Sequence, residues 1–141
     1  MALWLLKTEP SEYSWDDLAG EKQTTWDGIS NPTALIHMRA MKRGDRALIY
    51  HTGNERAVVG IAKVMRAAYP DPKAGNEKLL AVDIKPMKKL KNPVTLEQIK
   101  TDKTFAGWEL LRIGRLSVVP VTQKMWNRII ELSNRSGNDA K

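Results

Sequence analysis

The chain has 141 residues, 42% of them hydrophobic and 28% charged, with a net charge of +7, a composition of soluble globular proteins rather than disordered ones. It contains no cysteine, which excludes disulfides and thiolate chemistry, and no apolar run approaches the roughly 18 residues needed to span a bilayer. The opening MALWLLKTEP is too short for a signal peptide, so the expectation is a cytoplasmic protein without a membrane partner, and a monomer.

The charge is unevenly placed. Met1 to Asp83 carries 11 basic and 11 acidic residues, whereas Lys85 to Lys141 carries 12 basic and 5 acidic, so the whole excess lies in the second part. Its densest stretch is KPMKKLK, with Lys85, Lys88, Lys89 and Lys91. A one-sided cationic field suits a polyanion, because neutralising phosphates releases counterions. These four lysines are therefore the candidate phosphate contacts, and the expected partner is nucleic acid.

In chain order, ALWLLKTE reads as a buried first strand that stops at Pro10. Ser14 and Asp17 stand at capping-box spacing and open a short helix. TTWDGISNP follows as a turn that presents Trp26. Asn31 is a suitable N-cap, with Pro32 at the first helical position. The helix it opens buries Leu35, Met38 and Met41 and is closed by Gly44. RALIYHT and AVVGIAKVMRAAY read as a hairpin, PDPKAGNE as an exposed loop, and KLLAVDIKPMKKL as a strand in which Pro86 marks an edge or a bulge. Thr95 and Gln98 cap another short helix. RLSVVPV is the last strand, and Thr122 opens a terminal helix with Met125, Trp126, Ile129 and Ile130 inward. The chain is thus expected to fold as a single domain over residues 1–133, with 134–141 a disordered tail. The order of elements implies an α+β fold: a curled, mostly antiparallel sheet or small barrel of five or six strands, with short helices outside. Such a sheet leaves room for one small ligand at its mouth.

Catalytic patterns are sparse. His37 and His51 stand alone, without the spaced Cys, His or acidic partners of a metal centre, and neither G-x-S-x-G nor a phosphate-binding loop occurs. No cofactor is implied. Trp4, Trp108 and Trp126 read as packing. Trp26 differs, because it stands in a turn beside Asp27 and Gly28, while Tyr50 and His51 end the strand that the following helix leads into. An aromatic face with hydroxyl, amide and imidazole groups around it is what a splayed-out base requires.

WLLKTEPSEYSWDDL, TTWDGISNPTALIHMRAMKRGDRALIYHTG, VVGIAKVMRAAYPDP and GRLSVVPVT, taken together and in this order, resemble the EVE domain family from about Leu3 to Leu132. The resemblance implies a PUA-like fold, related to YTH and ASCH domains, and non-catalytic recognition of modified bases such as methylated or hydroxymethylated cytosine in DNA or RNA. By the same resemblance the base pocket draws on Lys7 and Thr8, on Tyr13, Ser14 and Trp15, on Trp26, Asp27 and Asn31, on Tyr50 and His51, and on Arg115, Leu116 and Ser117. Trp26 is its stacking surface, and Asn31 serves either as helix cap alone or as a base contact too. Where the family usually reads W-D-G-V-R-N, this chain has Ile29 and Ser30, and so lacks one arginine contact. The alternative is a small ASCH-like hydrolase of modified nucleosides, with Lys7 and Thr8 as the nucleophile-activating pair and Glu9 or Asp27 as the acid.

Overall fold

The structure, a computed structural model, describes residues 1–135. The strands are β1 (Leu3–Thr8), β2 (Thr24–Trp26), β3 (Arg46–His51), β4 (Ala57–Pro70), β5 (Leu80–Thr95) and β6 (Val118–Val121). The helices are α1 (Trp15–Glu21), α2 (Pro32–Ala40), α3 (Leu96–Lys100), α4 (Glu109–Arg112) and α5 (Gln123–Asn134), with a 3-10 turn at Lys103–Phe105. All six strands share one sheet in the order β2-β5-β4-β3-β1-β6. The architecture is α+β and mostly antiparallel, and the sheet is open, with β2 and β6 at its edges.

One pairing is parallel. β1 runs beside β3 in register from Leu3 opposite Arg46 to Thr8 opposite His51. Parallel neighbours need a long crossover, and α1, β2 and α2 supply it. Because this pair lies inside the sheet, β1 reads as four consecutive buried residues, Leu3 to Leu6, rather than as an alternation. β3 and β4 form the expected hairpin. β5 carries a bulge at Met87, since Pro86 pairs with Ala62 and Lys88 with Ile61. β2 covers β5 only from Val82 to Ile84, so Pro86 lies where one side of the strand has no ladder to lose.

Four helix starts follow from local chemistry. Ser14 and Asp17 form a complete capping box, as do Thr95 and Gln98. The Asn31 carboxamide oxygen accepts from the N–H groups of Thr33 and Ala34 at 2.9 and 3.0 Å, and the Thr122 hydroxyl accepts from that of Met125. Gly44 does not close α2. The helix stops at Ala40 because the buried Asp45 carboxylate takes the Lys42 N–H at 2.9 Å, an alternative that competes with the next helical bond. The same carboxylate accepts from the Trp4 indole N–H at 3.0 Å and from the Ala2 N–H. Gly44, at φ +95°, instead makes the turn into β3.

Three further readings are corrected in whole or in part. The segment expected as a turn around Trp26 is β2, an edge strand too short to show any periodicity. The loop after β4 is exposed at most positions, as expected, but Asp71 within it is buried and accepts from the Lys73 N–H. The expected tail is still helical at Asn134, where Ser133 is buried and its main-chain carbonyl accepts from the Asn92 side-chain amide. Residues 136–141 of that tail lie outside the described residues.

α1 is seated by Trp15, whose ring lies against Gly60 of β4: a β-carbon there would stand 2.4 Å from the indole carbons. A buried indole cannot move aside as a flexible chain end would. Gly60→Ala is therefore expected to lower stability by about 1–3 kcal/mol through overpacking, measured by denaturant unfolding. A variant as stable as wild type would show that α1 is not held at this point.

Candidate functional site

A cleft of about 820 Å³ opens between the end of β1, the segment leading into α1, β2 with the loop after it, and the segment ahead of β6. Lys7, Thr8, Tyr13, Trp26, Asp27 and Ser117 of the sequence-derived set line it together. Trp26 is exposed to only 8%, within the main core cluster and at the cleft wall at once. Tyr13 meets it edge-on, centroids 5.9 Å apart and planes at 79°. This is a favourable aromatic arrangement that fixes the corner between the α1 approach and β2.

The remaining members of that set lie elsewhere, each for a visible reason. Ser14 and Asn31 are committed to helix caps. Trp15, Tyr50 and Leu116 are buried in the core, and burial pushes the Tyr50 phenol up from its ordinary pKa. Arg115 is exposed and does not line the cleft. His51 is buried behind the site rather than at its mouth. Its Nε2 accepts the Trp15 main-chain N–H at 3.0 Å, so the ring proton resides on Nδ1, which donates to Glu55 Oε1 at 2.6 Å. Both ring nitrogens are thereby occupied. Of the lysine run, Lys88, Lys89 and Lys91 are exposed and Lys85 is half-buried. Lys88 and Lys91 flank a separate groove of about 220 Å³ with Arg46 and Trp126.

Sequence reasoning missed the cleft's acidic character and its far wall. Five carboxylates line the cleft, those of Glu9, Glu12, Glu21, Asp27 and Asp83, against two lysines, Lys7 and Lys73. The AYPD motif held the signal for the far wall. Asp71 fixes the loop bearing Lys73, and its carboxylate lies 3.5 Å from the Gly28 N–H. Tyr69 donates to Asp83, which also accepts from Thr25. Burial and the adjacent Asp83 carboxylate raise the Tyr69 pKa.

The polar groups of the cleft divide into occupied and free ones. The Thr8 hydroxyl donates to the Tyr13 carbonyl at 2.6 Å, and the Lys7 ammonium donates to the Gly114 carbonyl at 3.1 Å. Burial lowers the Lys7 pKa, since the charged form loses hydration. Glu9 accepts from Ser11 and Thr52, and the Ser11 bonds hold its carboxyl below the usual range. Lys7 and Thr8 are thus each bonded to main-chain carbonyls, not to one another. The Tyr13 hydroxyl is shielded from water yet has no hydrogen-bond partner. Thr24 and Glu21 stand beside it, and burial raises its pKa. A shielded, unpaired hydroxyl in a cleft is costly unless something else fills the place.

The fold and site define a PUA-like α+β protein with an aromatic-walled cleft. The EVE domain model matches residues 2–132, and the chain belongs to the EVE domain family. It is 32% identical to rat thymocyte nuclear protein 1, over 92% of this chain and 72% of that protein. A Rhodopseudomonas palustris protein solved by NMR is 43% identical at a TM-score of 0.89, with 94% of this chain and 93% of that one covered. Human THYN1 protein, crystallised in complex with 5-methylcytosine-containing DNA, is 28% identical at a TM-score of 0.88, with 96% and 99% covered. ASCH from Zymomonas mobilis, 14% identical at a TM-score of 0.60 over 93% and 95%, shares the fold.

Removing the His51 ring leaves the buried Trp15 N–H without an acceptor. His51→Ala is expected to lower stability by about 1–3 kcal/mol, read from thermal melting with the Trp15 amide followed by hydrogen exchange. An unchanged melting temperature would contradict the bond.

Proposed function

We propose that this chain is a nucleic-acid-binding module that recognises a modified nucleobase, such as methylated or hydroxymethylated cytosine, in the Trp26 cleft, without turning it over. The observation that carries the reading is the pairing of Trp26 with the unpartnered Tyr13 hydroxyl in one cleft. A base needs a stacking face and a hydrogen-bonding edge: Trp26 lines the cleft with the little surface it exposes, and the Tyr13 hydroxyl beside it makes no hydrogen bond within the geometric limits. The cleft volume lies in the range of roughly 300–1,000 Å³ usual for small-ligand sites. The human relative crystallised on 5-methylcytosine DNA supports the same reading. A hydrolase reading loses support from the geometry at Lys7 and Thr8, because the Thr8 hydroxyl and one Lys7 N–H are directed to separate carbonyls and not to one another.

Phosphates fit the lysine run on β5 rather than the acidic cleft. From Asp83 to Lys88 the strand advances roughly 17 Å at about 3.3 Å per residue, about five steps of a B-form strand. The lysines would thus hold nucleotides flanking the one that is read.

Because Trp26 is buried, its alanine variant would lose core packing of about 3–5 kcal/mol and confuse folding with binding. Trp26→Leu keeps an apolar side chain and leaves a smaller cavity than alanine, but removes the π face. Its affinity for a 5-methylcytosine oligonucleotide is expected to fall by roughly 1–3 kcal/mol, and Trp26→Phe to recover part of that loss, in titrations on variants shown to be folded. Leucine and phenylalanine variants of equal affinity would remove Trp26 as the stacking surface.

If Lys85, Lys88, Lys89 and Lys91 touch phosphates, the slope of log affinity against log salt should flatten in the quadruple alanine variant. The expected change is about 0.7–0.9 for each phosphate that is no longer neutralised. An unchanged slope would leave the run as a solvated strand edge.

A further inference from the structure

Three carboxylates of the cleft are half-buried: Glu9, Asp27 and Asp83. Two are occupied, Glu9 by Ser11 and Thr52, and Asp83 by Thr25 and Tyr69. Asp27 accepts no hydrogen bond and forms no ion pair among the described residues. It follows Trp26 directly, on a loop held by the ladder of β2 to β5 on one side and by the Asn31 cap on the other. Gly28, at φ +76°, makes the turn after it, in a region that side chains other than glycine, asparagine or aspartate seldom occupy.

Resting on the reading of the cleft as a base site, we propose that Asp27 is its specificity residue: its carboxylate accepts from an exocyclic amino group, so the cleft takes amino-bearing bases and rejects keto ones. The Lys7 ammonium, which gives one of its three N–H groups to the Gly114 carbonyl, and the unpartnered Tyr13 hydroxyl can serve the O2 atom that every pyrimidine carries, and so tell none apart. An acceptor does. A carboxylate receives the N4 amino group of a cytosine but meets the O4 atom of a thymine or uracil lone pair to lone pair. The cleft's excess of carboxylates adds to that repulsion. It also keeps phosphate out, leaving the base alone to enter. A site built to bond a polar group discriminates strongly against an analogue that lacks it.

5-Methylcytosine and thymine form a matched pair, sharing the ring and the 5-methyl group and differing in the 4-amino against the 4-keto group with its N3 proton. Two single-stranded DNA oligonucleotides identical except at that one position are titrated against wild type, Asp27→Asn and Asp27→Ala, with melting temperatures recorded for each. Wild type is expected to prefer 5-methylcytosine by roughly 10–100-fold. Asp27→Asn, whose amide can donate to O4, is expected to gain affinity for thymine while losing it for 5-methylcytosine, bringing the ratio to within about threefold. Asp27→Ala is expected to lose the preference without the gain. Equal binding of the two oligonucleotides by wild type overturns the proposal, as does an asparagine variant that keeps the full preference or weakens both oligonucleotides equally. Failure of base recognition itself reads differently: wild type then binds both no better than the same strand with an abasic site, and the inference falls with it.

Discussion

The site depends on one buried hydrogen bond, from the main chain of Trp15 to the imidazole of His51. His51 ends β3, the strand that pairs in parallel with β1, and its position is set by the interior of the sheet. Trp15 begins α1, and the segment that joins it to β1 is tied back just ahead of it by the Thr8 hydroxyl on the Tyr13 carbonyl. The imidazole fixes the height of the helix start, while Gly60 lets the indole lie flat against β4 and fixes its depth. With both coordinates set, Tyr13 is delivered against Trp26. The Glu55 carboxylate holds the tautomer that makes the bond possible, an arrangement of the kind that orients histidine ligands in metal sites. A histidine that reads as a binding residue in sequence is, in three dimensions, the support on which the cleft wall rests.

Charge is segregated along β5. Its start contributes Asp83 to an acidic cleft, and its later residues carry the lysine run past a bulge at Met87. A cationic protein and an acidic pocket are therefore compatible. Long-range attraction to a polyanion depends on the summed field, which is positive, whereas selection among bases depends on a few dipoles in a partly desolvated cleft. The two tasks want opposite signs, and placing them about 17 Å apart on one strand lets each act without cancelling the other. On the proposed function, the salt dependence of overall affinity and the discrimination between bases are consequently governed by different residues.

Much of the frame is legible in the sequence. Caps are local, so Ser14, Asn31, Thr95 and Thr122 announce their helices. The run of buried residues in β1 and the hairpin of β3 and β4 follow from period and turn chemistry. What escapes has a common cause, namely that its determinants are distant in sequence. β2 is three residues long and exists because β5 pairs with it, which no window of TTW can show. Gly44 looks like a helix terminator, yet the stop is imposed by the Asp45 side chain acting on Lys42. In the site, the residues nearest Trp26 in sequence or in strand order are easily nominated, but whether a side chain faces the cleft or the core is not. Tyr50, Leu116 and His51 are all buried, and none of them lines the cleft. Glu12, Glu21, Lys73 and Asp83 come from four separate segments, and only the fold brings them together.

The cleft wall is also unusual in being an edge strand that is held on every side. β2 has one ladder partner, and an unpaired edge is commonly a mobile and adhesive element. Here its outer end is followed closely by the Asn31 cap. The Asp71 carboxylate reaches toward Gly28 from the loop after β4, and the Trp26 ring is anchored in the core cluster behind it. The ordering entropy of the wall is thus met during folding, when core burial and the cap offset it, and not at the moment a ligand enters. Preorganisation of this kind raises affinity without adding contacts. For the proposed base site it would also sharpen selection, because a loop free to rearrange could turn Asp27 away from a keto oxygen and accept the wrong base. Rigidity at Trp26 and the choice proposed for Asp27 are two results of the same constraint: the indole is core and wall together, and the residue after it inherits its fixed position.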